Sequence, residues 1–161
     1  MMMHLLCDVL HTLQGRTLVT AESCTGGGIG AALTAVPGSS RVYKGGIICY
    51  TNWVKTNLLG VESDLLDREG AVSSKVAEKM ASGVLNRLDA DVAVSVTGLA
   101  GPDGDEFGNP VGTVFIGYAE AEKVLSRHCY FEGTREEIRE QAITAALHLV
   151  MTQNTKKDPS V

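Results

Sequence analysis

Leu18-Val19-Thr20-Ala21-Glu22-Ser23-Cys24-Thr25-Gly26-Gly27-Gly28-Ile29-Gly30 is the stretch from which the fold is read. A β-rich apolar run, Leu18 to Ala21, comes first. Glu22-Ser23-Cys24-Thr25 interrupts it. Three glycines follow, and the chain then becomes rich in Ala and Leu. This order predicts a strand, a sharp turn and a helix. Such a turn holds a hydroxyl or thiol at the sheet edge and aims the N–H groups of the helix start at its surroundings. Ser23 is a candidate nucleophile on this reading. Cys24 competes with it, because a thiol at a helix start is acidified.

Outward from this stretch the pattern alternates. Residues 4 to 14 place Leu5, Leu6, Val9, Leu10 and Leu13 on one helical face, and Gly15-Arg16 ends the helix. A strand over 17–22 leads to a helix over about 27–35, stopped by Pro37-Gly38. Tyr43 to Thr51 reads as a second strand, and Asn52 as the cap of a short helix over about 53–59. Residues 61 to 72 read as a mixed connector with room for one helical turn at Ser63-Asp64. Ser73 caps a long helix to about Leu88, with Val76, Met80, Val84 and Leu88 on one stripe. Val92 to Val96 is a nearly continuous apolar strand, as inside a sheet covered on both faces. After a Gly/Pro/Asp loop over 97–110, two strands over 111–119 and 123–131 form a hairpin. Thr134 with Glu137 predicts a capping box for a last helix to about Gln153. The expectation is an α/β fold: one domain over 1–161, with a core of about 5–153 and a polar tail over 154–161. Its mixed sheet has about five strands, with helices on both faces.

Composition narrows the function classes. With 161 residues the chain suits one core, and 44% hydrophobic against 20% charged residues is globular. A net charge of -5 argues against a nucleic-acid partner, which demands a basic footprint. Cys7, Cys24, Cys49 and Cys129 form no C-x-x-C pair, which argues against a zinc knuckle or disulfide framework. No signal peptide or membrane-length apolar run is visible, so the expected location is cytoplasmic, with no membrane partner.

Four polar, glycine-containing stretches sit at strand ends: 22–28, 50–55, 97–104 and 109–113. The first three directly follow strands, and ligands of open α/β sheets bind beyond the strands' carboxyl ends. Gly98 to Asp105 lacks the Lys-Ser/Thr of a P-loop, and Gly26 to Gly30 lacks the dinucleotide spacing. His4, His11, His128 and His148 all lie away from the glycine loops, which leaves a Ser-His-Asp triad unsupported. Lys55 is the alternative base. In the first turn of a helix its cation is disfavoured, which lowers its pKa. Tyr50, at the preceding strand end, can relay a proton or hold substrate. Asp103, Asp105 and Glu106 share a loop but match no metal-binding spacing, and no metal or other cofactor is expected. Arg16 and Arg41 are possible phosphate partners.

The motifs Ala21-Glu22-Ser23-Cys24-Thr25-Gly26-Gly27, Pro37-Gly38-Ser39-Ser40, Tyr50-Thr51-Asn52 with Lys55, Gly70-Ala71-Val72-Ser73, Thr97 to Gly104 and Pro110-Val111-Gly112-Thr113-Val114 occur in this order. Together they resemble the CinA C-terminal domain family, also called the PncC family of nicotinamide-nucleotide amidases. The resemblance covers about residues 5 to 153. It implies deamidation of nicotinamide mononucleotide to nicotinic acid mononucleotide and ammonia, without metal or organic cofactor. It assigns Ser23 as nucleophile and Lys55 as general base, with Tyr50 as the third catalytic residue. Glu22, Cys24, Thr25, Gly26, Gly27, Asn52, Thr97, Gly98, Gly101 and Asp103 are the expected substrate-binding positions. The small nucleotide substrate is the expected partner, with a homodimer carried over from the family. The length suggests the stand-alone form, without the nucleotide-pyrophosphatase domain of larger members. The alternatives are a regulatory nucleotide-binding module without turnover, associated with competence or damage, and an amidase of different substrate.

Overall fold

The computed structural model describes residues 1–155. In order they form α1 (Met2–Thr12), β1 (Leu18–Glu22), α2 (Gly28–Thr34), a 3₁₀ turn (Ser39–Arg41) and β2 (Tyr43–Ile48). Then come α3 (Asn52–Leu59), α4 (Ser63–Glu69), α5 (Ser74–Arg87), β3 (Val92–Gly98), β4 (Thr113–Glu120), β5 (Lys123–Tyr130) and α6 (Arg135–Thr155). The strands form one sheet in the order β2-β1-β3-β4-β5. β1 runs parallel to both β2 and β3, whereas β3–β4 and β4–β5 are antiparallel. This is the expected mixed α/β sheet. The chain passes from β1 to β2 on one side and returns to β3 on the other. That reversal opens a crevice at the carboxyl ends of β1, β2 and β3.

Side-chain parity divides the helices between two layers. Leu18, Val92, Val94 and Val96 join one core with Leu6, Ile29 and Leu147, under α1, α2 and α6. Val19, Ala21 and Ala93 join the other with Leu59, Leu65 and Met80, under α3, α4 and α5. α5 lies unusually close to the sheet. A Cβ on Gly117 would stand 2.2 Å from the Ala77 carbonyl oxygen, so only glycine fits there. Ser95 uses the same proximity to donate its hydroxyl to that carbonyl at 2.6 Å.

Local sequence explains the boundaries. Ser73 accepts from Val76 N–H at 3.2 Å and caps α5 as expected. Thr134 and Glu137 exchange reciprocal bonds, the capping box of α6. Four expectations need correction. Thr51, not Asn52, caps α3, and Asn52 is already helical. The connector over 61–72 contains α4, a seven-residue helix that buries Leu65 and Leu66. β3 runs on through Thr97 and Gly98. Asn154 belongs to α6, not to a tail, and its buried amide donates to Tyr118 Oη at 3.1 Å. The rest of the expected tail, 156–161, lies outside the described residues. Among the described residues, no helix is long and apolar enough to cross a membrane.

Candidate active site

β1 carries Ser23 to the crevice by simple alternation. Ser23 continues the parity of Val19 and Ala21, toward α3, while Glu22 continues that of Leu18 and Thr20, toward α2. The sheet fixes the backbone on both sides: Ser23 N–H donates to the Val96 carbonyl at 2.9 Å, and Cys49 N–H donates to that of Glu22 at 2.9 Å. Beyond Ser23 the chain turns tightly, and Gly26 N–H donates back to the Ser23 carbonyl at 3.0 Å. Gly26 and Gly27 take φ values of 57° and 95°, the left-handed region that glycine adopts without a Cβ clash. Gly27 is the cap of α2, so Ser23 stands five residues before the helix and is not its cap.

Lys55 comes from the first turns of α3, under which it is driven inward. It is 1% exposed, and its Nζ lies 3.0 Å from Ser23 Oγ and 2.8 Å from the Cys49 carbonyl oxygen. Burial lowers its pKa from the usual 10.5; the nearby Cys49 and Cys24 act weakly the other way. No carboxylate contributes to this balance. Burial is thus the main cause of the depression, whereas the sequence pointed to the helix end.

The two competing nucleophiles differ sharply. Cys24 is packed into the core beneath α1, α2 and α6. Desolvation pushes its thiol up to about 11, the opposite of the acidified thiol expected at a helix start. A protonated buried thiol is a poor nucleophile. Cys49 is likewise buried and raised to about 11. Among the cysteines, Cys7 alone is exposed and Cys129 is half-buried.

Ser23 and Lys55 open into a cavity of about 310 Å³. Of the expected positions, Tyr50, Cys24, Asn52, Thr97, Gly98, Gly101 and Asp103 line it with them. Glu22, Thr25, Gly26 and Gly27 do not. Glu22 is 2% exposed and turns under α2. Its carboxylate accepts from Ile29 N–H at 2.8 Å, Gly30 N–H at 3.1 Å, Thr25 Oγ1 at 2.8 Å and Thr20 Oγ1 at 3.2 Å. The carboxylate and Thr25 therefore tie the turn to the helix. Asp105, once a metal candidate, spends its carboxylate on Phe107 N–H, Asn109 N–H and the Asn109 amide. Among the described residues, no group of three or more His, Cys, Asp or Glu side chains is placed to share a metal ion.

The cationic residues of the site are also corrected. Arg16 and Arg41 precede β1 and β2 and lie at the opposite end of the sheet; Arg16 pairs with Asn154 and Glu120. The crevice instead receives Arg135, which lines the cavity, donates to Tyr50 Oη at 3.1 Å and also bonds the Gly101 carbonyl. One turn later, Arg139 donates to the carbonyls of Cys24 at 3.0 Å and Thr25 at 3.2 Å. Sequence reasoning missed both. The signal lay in the hairpin: an antiparallel β4–β5 pair returns the chain to the edge where β3 ended, so α6 must begin beside the crevice. Ala71, Val72, Leu99 and Ala100 complete the lining.

Residues 3–153 match the CinA C-terminal domain. A CinA-like protein of Mycolicibacterium gilvum is 48% identical over 144 residues, 89% of this chain and 34% of that protein. The chain thus spans about a third of the length of the curated relatives it matches. The crystal structure of a competence damage-inducible protein A from Klebsiella pneumoniae superposes with a TM-score of 0.94 at 33% identity, covering 98% of this chain and 99% of that one. A competence/damage inducible protein from Agrobacterium tumefaciens gives 0.91 at 39% identity, covering 95% of each chain.

Proposed function

The chain belongs to the CinA C-terminal domain family, and from that membership and its Ser–Lys pair we propose that it is an amidohydrolase acting on nicotinamide mononucleotide. The observation that carries this reading is the buried Lys55 Nζ, 3.0 Å from Ser23 Oγ. Burial favours the neutral form of the amine, which has one lone pair and two N–H donors. With one N–H on the Cys49 carbonyl, the lone pair can receive the Ser23 proton. General-base transfer needs this hydrogen-bond reach and a pKa brought toward the working pH.

Ser23 Oγ attacks the carboxamide carbon as its proton passes to Lys55. The oxyanion is held by the turn at the Cys24 N–H, since Cys24 lines the cavity and the Gly26 N–H already serves the Ser23 carbonyl. Such a donor contributes about 10²–10³ in rate. The Lys55 ammonium then protonates the departing nitrogen, and ammonia leaves as the C–N bond breaks. Water, deprotonated by the same amine, hydrolyses the acyl-enzyme to the carboxylate and restores Ser23. Arg135 at the rim suits the substrate's phosphate, and Asn52 and Asp103 suit its ribose hydroxyls. Tyr50, 58% exposed and bonded to Arg135, holds substrate in this reading and does not take the first proton. The reaction uses no metal or organic cofactor, and the protein works in the cytoplasm as a homodimer.

The test is ammonia release from nicotinamide mononucleotide by purified protein in the presence of EDTA. Ser23→Ala abolishes release, and Cys24→Ala keeps at least about a third of it. Activity rises with pH through the Lys55 pKa, since the neutral amine is the active form. Nucleotide binding without ammonia release would instead identify a regulatory module.

A further inference from the structure

We propose that Arg139 is a positioning residue that sets the oxyanion-binding face of the Ser23 turn; the inference rests on the Ser–Lys reading of the site. In a trans peptide the C=O and N–H point in opposite directions. Arg139 Nε takes the Cys24 carbonyl at 3.0 Å, so the Thr25 N–H of that same peptide is turned away from α6. Nη2 takes the Thr25 carbonyl at 3.2 Å, and the Gly26 N–H of that peptide points to the other side, where it meets the Ser23 carbonyl at 3.0 Å. Two peptide planes are therefore fixed by a single guanidinium, whose planar fork suits two acceptors at once.

The electrostatics point the same way. Carbonyl oxygens carry the negative ends of peptide dipoles, and those of a tight turn beside Ser23 would repel a developing oxyanion. Arg139 sits on them with a full positive charge while making no bond to Ser23 or Lys55. Half-buried on α6, it reaches the turn from the layer opposite Lys55. The guanidinium also packs against the turn: a Cβ on Gly26 would stand 3.7 Å from Nη2, an ordinary contact distance. Arg135, four residues earlier on the same helical face, ties the other two loops of the crevice. Arg139 does not line the cavity, so it acts through the turn and not on the substrate.

The experiment compares wild type, Arg139→Lys and Arg139→Ala in the full chain, with two readouts. One is kcat and KM for ammonia release from nicotinamide mononucleotide. The other is the rate at which a fluorophosphonate labels Ser23: Ser23 Oγ displaces fluoride to give a phosphonate ester, and negative charge develops on the phosphonyl oxygen in the transition state, independently of the amide substrate. The expected result is a fall of about 30–300-fold in kcat for Arg139→Ala, with KM within about threefold. Labelling falls in parallel, and Arg139→Lys is intermediate because an ammonium cannot hold both carbonyls in one plane. The pH profile keeps its midpoint, because Lys55 is untouched. If the wild type labels but releases no ammonia, the substrate reading fails, and labelling alone decides the role of Arg139. Labelling that drops less than about threefold in a folded Arg139→Ala protein overturns the proposal. So does a loss expressed mainly in KM.

Discussion

On the proposed mechanism, Lys55 acts oppositely on activity and on stability. Its pKa in the folded chain lies below the usual 10.5. Between those two values the unfolded chain binds more protons, so unfolding free energy rises with pH in that window. Below the folded value the charged amine is buried at full cost. Replacing it with an unbranched apolar side chain removes that cost. Lys55→Met is therefore expected to melt about 2–6 °C above wild type near neutral pH, with no amidase activity. The gap narrows as pH climbs through that window toward 10.5, where the unfolded amine also becomes neutral. Melting curves followed by circular dichroism at several pH values test this, and a gap that widens with pH contradicts the assignment. Fluorescence is the poorer probe here: Trp53, the single tryptophan, is already 68% exposed in the native state.

At the level of elements, the turn between β1 and α2 is held from two sides. Glu22 holds the first turn of α2 from within the core, and Arg139 holds the turn's carbonyls from α6. Glu22 meets four donors, and an amide in its place would present N–H to at least one of them. Glu22→Gln is expected to lose about 1.5–3 kcal/mol of stability in urea unfolding, the range for hydrogen bonds to a charged group. KM should stay within about twofold, because the side chain faces away from the cavity. A raised KM with unchanged stability would return Glu22 to the substrate-binding group. The element order was legible in the sequence wherever a cap or a strong period marked it, as for Ser73 and α5 or Thr134 and α6. α4 was not, because seven residues with two buried leucines make too short a period to separate from a connector. Glu22 was misplaced although its parity along β1 was readable. Strand alternation sends Glu22 and Ser23 to opposite faces, so the Glu22 to Gly27 motif serves two faces of the sheet and not one.

For the whole molecule, the sheet topology assembles three loops at one edge, and this was legible from the strand-then-loop order alone. What the sequence could not supply was reach. Ser23 and Lys55 are separated by 32 positions, and their 3.0 Å contact depends on how deeply α3 packs against the sheet. Arg16 and Arg41 precede the amino ends of β1 and β2, a placement that strand order reports and charge alone does not. The ion pairs among described residues add little to global stability: Lys75–Glu69 and Lys79–Glu62 are exposed, and Arg16–Glu120 spans 3.6 Å. Raising NaCl from about 0.05 to 0.5 M should therefore move the melting temperature by less than about 3 °C, whereas KM for the phosphorylated substrate should rise as Arg135 is screened. A large loss of thermal stability in salt would mean that surface pairing matters more than the two apolar cores.

The hairpin that returns the chain to the crevice also has a meaning in time. A ribosome adding about 5–20 residues per second completes Arg139 roughly 6–23 s after Ser23. Ser23 and Lys55 are made early, but α6, the helix that holds the turn, is made after both. On the proposed mechanism, a nascent chain therefore carries its nucleophile for seconds before the site around it is complete. On the same mechanism, hydrolysis waits until α6 has been made, so a helix remote from Ser23 in sequence sets when its turn is complete.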